Sequence, residues 1–216
     1  PGWVMAKDGE KLSKSKGNFE PVPNLIDRHG ADNIRFYYCW DTDPGKEMRF
    51  DADTIREESS TALTTLWNLT DYVTGHLDEP RPVDELDLRD EDEWILSRAH
   101  TVTETVRDSL DSFNIDGAGS ALYDFIVKDL SRQYVQLVRE RTTTDQTPYH
   151  VIYHMVVHAA KLAAPITPHF SEHIYQAFRE VYDADHESIH LARIPTTTTP
   201  YKAYHDTDLE TMMNTV

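Results

Sequence analysis

The sequence predicts a mainly α fold: an up-and-down helix bundle carrying a small hairpin at its front. Three observations lead there. Beyond Asp51, apolar residues recur every three or four positions for about 130 residues, which is the period of a helix buried on one side. Pro148 and Pro168 stand where two of these stripes begin, and the missing N–H of proline costs nothing in a first helical turn. Ahead of Asp51 the chain shows Trp3-Val4-Met5, an Asp8-Gly9 turn and a Lys11-Leu12 return, the layout of a short hairpin.

The elements follow in chain order. Ser13-Lys14-Ser15-Lys16-Gly17-Asn18 is a loop by composition. A short helix is predicted from Val22 to Arg28, stopped by Gly30, and another from Asp32 to Trp40. Five apolar stripes make up the bundle. The first carries Ile55, Ala62, Leu66, Leu69 and Val73, and the second Ile95, Ala99, Val102, Val106, Leu110 and Phe113. Leu122, Ile126, Leu130, Tyr134 and Leu137 make the third, and Val151, Ile152, Met155, Val156, Ala159 and Ala163 the fourth. The fifth starts at Thr167-Pro168, read as a cap followed by proline, and runs through Phe170, Ile174, Phe178 and Val181. His76 to Glu93 holds nine acids and two bases with Pro80 and Pro82, which predicts a solvated loop. Residues 188–194 read as a short strand, and the Thr-rich 196–199 opens a flexible tail. The expected divisions are 1–50, 51–195 and 196–216.

The composition narrows the function classes. With 38 acids against 21 Lys and Arg, the 216-residue chain carries a formal charge of −17, and its 39% apolar content suffices for a real core. No run reaches the roughly 18 to 20 apolar residues of a membrane span, and the first residues lack a signal-peptide layout, so a soluble cytoplasmic protein is expected. The single cysteine, Cys39, excludes an intrachain disulfide and a multi-cysteine zinc site. A chain opening on Pro1 is expected to be cut from something longer. Its 23 Asp and 15 Glu beside only 8 Lys match a protein kept soluble in concentrated salt, where like charges are screened. Residues 1–18 depart from this, with four lysines against two acids.

Two further stretches carry candidate chemistry. On the helix from about Ser120 to Arg141, Lys128, Arg132 and Arg139 fall within about 40° of one another with Gln136 beside them, opposite the apolar stripe. Such a face is a candidate for RNA phosphates and bases, though the pattern by itself is more often three exposed cations paired with neighbouring acids. His150, His154 and His158 recur every four residues, as metal ligands on a helix do, but no cysteine or carboxylate stands obviously among them, and no metal site is expected. No phosphate-cradling P-loop sequence occurs.

Lys11-Leu12-Ser13-Lys14-Ser15, preceded by Gly2-Trp3-Val4 and Asp8-Gly9 and followed by Gly17-Asn18, resembles the second signature motif of class I aminoacyl-tRNA synthetases, usually Lys-Met-Ser-Lys-Ser. Gly30-Ala31-Asp32 with Arg35, Arg49-Phe50 and Leu66-Trp67-Asn68 continue it in the order of the isoleucyl, valyl and leucyl subgroup. Trp94-Ile95-Leu96-Ser97-Arg98, and Asp129-Leu130-Ser131-Arg132 with Tyr134, Arg139 and Arg141, look most like the isoleucyl branch. Ala164-Pro165, Pro168, Glu172 and Ser188-Ile189-His190-Leu191 complete a resemblance over roughly residues 2–194. Leu12 replaces the usual Met, a volume-conserving change, and Arg193-Ile194-Pro195 lacks the Trp often found there. The class's first signature, of His-Ile-Gly-His type, is absent, as are an editing insertion and a cysteine-rich module.

The resemblance implies the signature-loop end of a catalytic region followed by a helical anticodon-binding domain. It implies that Lys14 and Lys11 are catalytic groups which, with Ser13 and Ser15, meet the phosphates of ATP, and that Gly17 turns the chain away from the nucleotide. It implies that Lys128, Arg132, Gln136 and Arg139 meet an isoleucine-specific tRNA. ATP with Mg²⁺ and isoleucine would be used by the full-length enzyme, a monomer, while the fragment alone would hold no cofactor and be inactive. A valyl or leucyl fragment, or a non-catalytic RNA-binding bundle, remains the alternative.

Overall fold

The computed structural model describes residues 3–40, 45–182, 186–198 and 200–213. Gly2, Thr199 and residues 214–216, which enter the motif and tail readings above, lie outside them.

The front begins with β1 (Val4–Ala6), whose chain reverses through Asp8-Gly9: Gly9 N–H donates to the Ala6 carbonyl, and Ala6 N–H to that of Glu10. The predicted hairpin shrinks to one antiparallel bridge, Met5 to Lys11. Its main partner is instead β2 (Met48–Phe50), parallel to β1 in the register Val4 to Met48 and Ala6 to Phe50. Three residues carry too little alternation for the sequence to declare this strand. Between the strands lie α1 (Val22–His29), ended by Gly30 at φ 78°, and α2 (Ala31–Trp40). Tyr37, Met48 and Ile55 make a small separate core there.

The bundle follows. α3 (Ala52–Thr54), a π turn at Ile55–Ser59 and α4 (Ser60–Thr74) run on without a break. α5 (Asp90–Asp111) returns antiparallel, and α6 (Ile115–Tyr123), an eleven-residue π-helical stretch at Asp124–Tyr134 and α7 (Val135–Val138) form one outgoing helix. α8 (Thr147–Ala163) and α9 (Pro168–Val181) complete it. The stripes bury as their period demands, with Val73, Ile95, Val106, Ile126, Met155 and Ile174 at 0% exposure. Three stripe ends depart. Phe113 is 83% exposed because it takes the left-handed turn position, φ 58°, just past the end of α5. Leu137 is exposed because π turns hold more residues than α turns, so the inward row continues through Tyr134 to Val138. Val181 lies in the solvent-facing last turn of α9.

Three segments depart from expectation. The acidic stretch yields its last four acids to the first turn of α5, where carboxylates complement the helix dipole, and Asp92 among them is wholly buried. Residues 188–194 form a 3₁₀ turn, Ile189–Leu191, not a strand: Glu172 accepts from Ser188 Oγ (2.8 Å) and Ile189 N–H (3.0 Å). The expected flexible tail is docked. A 3₁₀ turn at Pro200–Tyr204 buries Tyr201, and α10 (Thr207–Met213) packs on α5. Thr167 fails as a side-chain cap, since its hydroxyl turns back to the Ala163 carbonyl.

One glycine sets the joint between front and bundle. A Cβ on Gly119 of α6 would strike the Cys39 carbonyl and stand 3.2 Å from Trp40 Cα, so only glycine lets the end of α2 lie against α6. Gly119→Ala gains about 1 kcal/mol of helix propensity but forces backbone apart, an overpacking that costs roughly 1–3 kcal/mol. A lower melting temperature is expected. Gly117→Ala meets mainly the Asn114 side chain, which can rotate, and should melt higher than Gly119→Ala.

Candidate nucleotide loop and nucleic-acid interface

The loop after β1 is closed by Asn18. Its side chain accepts from Ser13 N–H (2.8 Å) and donates to the Lys11 carbonyl (3.2 Å), while Gly17 takes φ 72° and ends a 3₁₀ turn at Lys14–Lys16. Ser13 and Ser15 hydroxyls bond each other at 2.8 Å. Both candidate lysines are exposed, Lys11 Nζ 5.9 Å from the Trp3 ring centroid and Lys14 Nζ 5.5 Å from that of Phe19. Lys16 pairs instead with Glu10 at 2.8 Å. The arrangement presents two ammoniums and two hydroxyls on one short, closed loop. Asn18 is the member that charge does not point to, and no local pattern marks it, because its bonds run back five and seven residues.

The second constellation lies on the α6–α7 helix. Lys128, Arg132 and Gln136 stand four apart on its exposed side and, with Gln133, Leu137 and Met213 of α10, line an open groove of about 610 Å³. Lys128 pairs with Asp124 of its own helix at 2.7 Å. Among the described residues Arg132 and Arg139 form no ion pair; Arg139 is exposed beyond the groove. The far wall is held in place, since Gln133 Nε2 donates to the Met213 carbonyl (2.7 Å), and Glu210 accepts from Arg98 Nη1 (2.8 Å), Ser97 Oγ (2.5 Å) and Thr101 Oγ1 (2.8 Å). Arg98 Nε reaches Asp129 at 2.9 Å. Arg141, near in sequence to this face, is withdrawn from it: its guanidinium is buried against Glu91 (2.7 Å), Asp92 (2.6 Å) and Asp145 (2.8 Å), and Asp92 also accepts from Tyr134 Oη (2.6 Å). Burial opposes it, but the Arg141 and Thr147 bonds hold the Asp145 carboxyl down to about 2.

The two constellations share one framework. Asp32 of α2 accepts from Phe170 N–H in the first turn of α9 (2.5 Å), and Arg35, one turn on, donates to the carbonyls of Ile166 (2.7 Å) and Pro165 (3.1 Å) after α8.

Comparison with known proteins places this pairing. Residues 1–51 match the family of class I tRNA synthetases (I, L, M and V), and residues 92–216 match the anticodon-binding domain of tRNA ligase. The chain belongs to the class I aminoacyl-tRNA synthetases. It is 34% identical to isoleucine–tRNA ligase of Methanothermobacter thermautotrophicus, over 88% of this chain and 19% of that protein. It is 37% identical to that of Natronomonas pharaonis, over 100% and 21%. The chain thus spans about one fifth of the curated relatives it matches. The fold is shared with the Agrobacterium radiobacter K84 agnB2 LeuRS in a ternary complex with tRNA and LeuAMS, at TM-score 0.72 and 19% identity over 95% of this chain and 24% of that one. It is shared also with Mycobacterium tuberculosis methionyl-tRNA synthetase bound to methionyl-adenylate, at TM-score 0.68 and 24% identity over 80% and 36%.

The histidine stripe has structural partners. His150 accepts from Arg81 N–H (3.1 Å) and faces Arg81 Nε (3.3 Å), His154 Nε2 meets the Arg81 carbonyl (2.7 Å), and His158 Nε2 meets Thr103 Oγ1 (2.8 Å). Among the described residues no trio of His, Cys, Asp or Glu is placed to hold a metal, and no helix is long and apolar enough to cross a membrane. Burial pushes both His150 and His158 down to about 4, against about 6.5 in an unfolded chain. Between those values, as pH falls, the unfolded chain takes up protons that the folded chain refuses. Stability is therefore whole above about pH 6.5 and declines toward pH 4, by about 1.4 kcal/mol per unit for each histidine. Urea unfolding at pH 7 and 5 should show a smaller drop for His158→Gln than for the parent.

Proposed function

We propose that this chain is part of an isoleucine–tRNA ligase, in which the groove beside α7 holds the anticodon arm and the Lys11–Ser15 loop serves amino-acid activation. The observation that supports it most is the joining of the two on one frame: Asp32 and Arg35 fix the loop-bearing front to the α8–α9 turn of the bundle. The isoleucine assignment draws on the relatives at 34% and 37% identity. The protein is proposed to work as a cytoplasmic monomer.

In activation the amino-acid carboxylate attacks the α-phosphorus of ATP, and negative charge grows on the departing pyrophosphate. Lys14, assisted by Lys11, places ammonium charge against that leaving group, and the Ser13 and Ser15 hydroxyls offer it hydrogen bonds. ATP with Mg²⁺ is the proposed substrate form, the metal supplying further phosphate charge neutralisation. On residues 1–216 alone the lysines stand in screening solvent, so these residues should give no isoleucine-dependent pyrophosphate exchange. In the full-length enzyme Lys14→Ala should lower that exchange by roughly 10² to 10³, and an unchanged rate removes the assigned role.

At the groove, replacing Lys128, Arg132 and Arg139 together by Gln should weaken tRNA binding and leave exchange nearly unchanged. An affinity that does not move at fixed salt would mean that these cations are merely solvated. The acidity of the chain is proposed to suit concentrated salt. The Debye length is about 30 Å at 0.01 M and about 3 Å at 1 M, so the excess charge of −17 repels across the whole fold only in dilute buffer. The protein should melt higher in molar potassium chloride, and equal melting temperatures would count against salt adaptation.

A further inference from the structure

The groove beside α7 is lined by more than cations. Leu137, 47% exposed, lines it from α7, and Met213 lines it from α10. The α10 wall is built before any ligand arrives. Gln133 Nε2 holds the Met213 carbonyl, and Glu210, one turn earlier in α10 and 7% exposed, accepts from Ser97, Arg98 and Thr101 of α5. A ligand therefore does not have to order this wall on binding. The same lining offers two groups for hydrogen bonding at its exposed side. Among the described residues the Gln136 side-chain amide has no partner, and Arg132 has no ion pair.

The charges weigh against a phosphate as the occupant. Lys128 is already paired with Asp124 at 2.7 Å, and the carboxylate of Asp129, tied to Arg98 at 2.9 Å, is itself part of the lining. A backbone laid into the groove would meet acids as well as bases. A helix of another protein fits no better, since it would need apolar anchors over successive turns and each wall offers one apolar side chain. An unstacked nucleobase matches on each count: it is uncharged, its ring faces are apolar, and its edge takes hydrogen bonds. We propose that the groove is a slot for one unstacked base of the bound tRNA, packed between Leu137 and Met213 and read at its edge by Gln136 and Arg132. This inference rests on the tRNA-binding reading and names the part of the RNA that the groove takes. Both an amide and a guanidinium can bond a base edge at two points, so the pair supplies discrimination that the apolar walls do not. Met213 is unbranched and adapts to the ring laid against it.

The test is binding of the tRNA by the full-length protein across a potassium chloride series in which the parent stays folded. Leu137→Ala with Met213→Ala should weaken binding roughly tenfold at every salt concentration, the loss that the burial of one apolar side chain accounts for. The slope of log affinity against log salt should not change, because an apolar wall releases no counterions. Neither side chain is part of the buried core, so the Ala pair should fold as the parent does. Leu137→Met with Met213→Leu, which keeps both walls apolar, should bind like the parent. With the fluorescent base 2-aminopurine placed in turn at each nucleotide of the anticodon loop, one position should brighten several-fold when the parent binds. That base leaves its stack, and no aromatic ring lines the groove to quench it. The Ala pair should abolish the rise. An unchanged affinity in the Ala pair overturns the proposal, and so does brightening at no position or brightening that survives in the Ala pair. If Lys128→Gln with Arg132→Gln flattens the salt slope while the Ala pair binds like the parent, the tRNA reading stands and only this inference falls. If the parent binds no tRNA, the functional reading falls with it.

Discussion

The grip of α2 on the turn between α8 and α9 is the constraint on which the arrangement depends. Asp32 sits at the positive end of α9 and accepts from the N–H of its third residue, Phe170, while Arg35 sits at the negative end of α8 and donates to the carbonyls of Pro165 and Ile166 just beyond it. Each charge lies where a helix dipole favours it, and one helical turn separates them, so a single short helix can hold both ends of the turn. Gly119 supplies the second point of contact, at the other end of α2. Two contacts fix an axis where one would leave a hinge. The loop bearing Lys11 and Lys14 therefore keeps its attitude to the bundle through hydrogen bonds 130 and more residues apart in sequence.

Inside the bundle, a chain with few bases uses two arginines as organisers. Arg141 gathers Glu91, Asp92 and Asp145 at one end, and Arg98 joins Asp129 to Glu210 beside the groove. Buried ion groups of this kind contribute little net stability once desolvation is counted, but removing one member leaves an uncompensated charge. Their effect is on geometry. The first ties the start of α5 to the segment before α8, and the second fixes α10 as the groove wall.

The sequence declared the helices because burial on one face repeats with a period, and it declared the signature loop because the motif is local. It hid whatever depended on distant partners. Asp92 reads as one more acid in a solvated run until Arg141 is found opposite it, and α10 reads as tail because Glu210 docks on residues more than a hundred positions earlier. Met48–Phe50 is a strand only because Val4–Ala6 lies beside it. Leu137 was lost to an assumption about pitch: α geometry continued through the π-helical stretch turns the wrong residue inward. In the loop, lysine charge was legible and the Asn18 clasp was not, because the latter is a matter of backbone geometry.

The two walls of the α7 groove are made far apart in time. Gln133 and the Met213 carbonyl that it holds are separated by 80 residues, which at about 5–20 residues per second of synthesis is about 4 to 16 seconds. During that interval the helix bearing Lys128 and Arg132 can fold against α5 while its outer side faces only water. A nascent chain therefore presents these cations on an open surface, and the shaped groove exists only after α10 has docked on α5. Any recognition that depends on that shape waits until Met213 has been made.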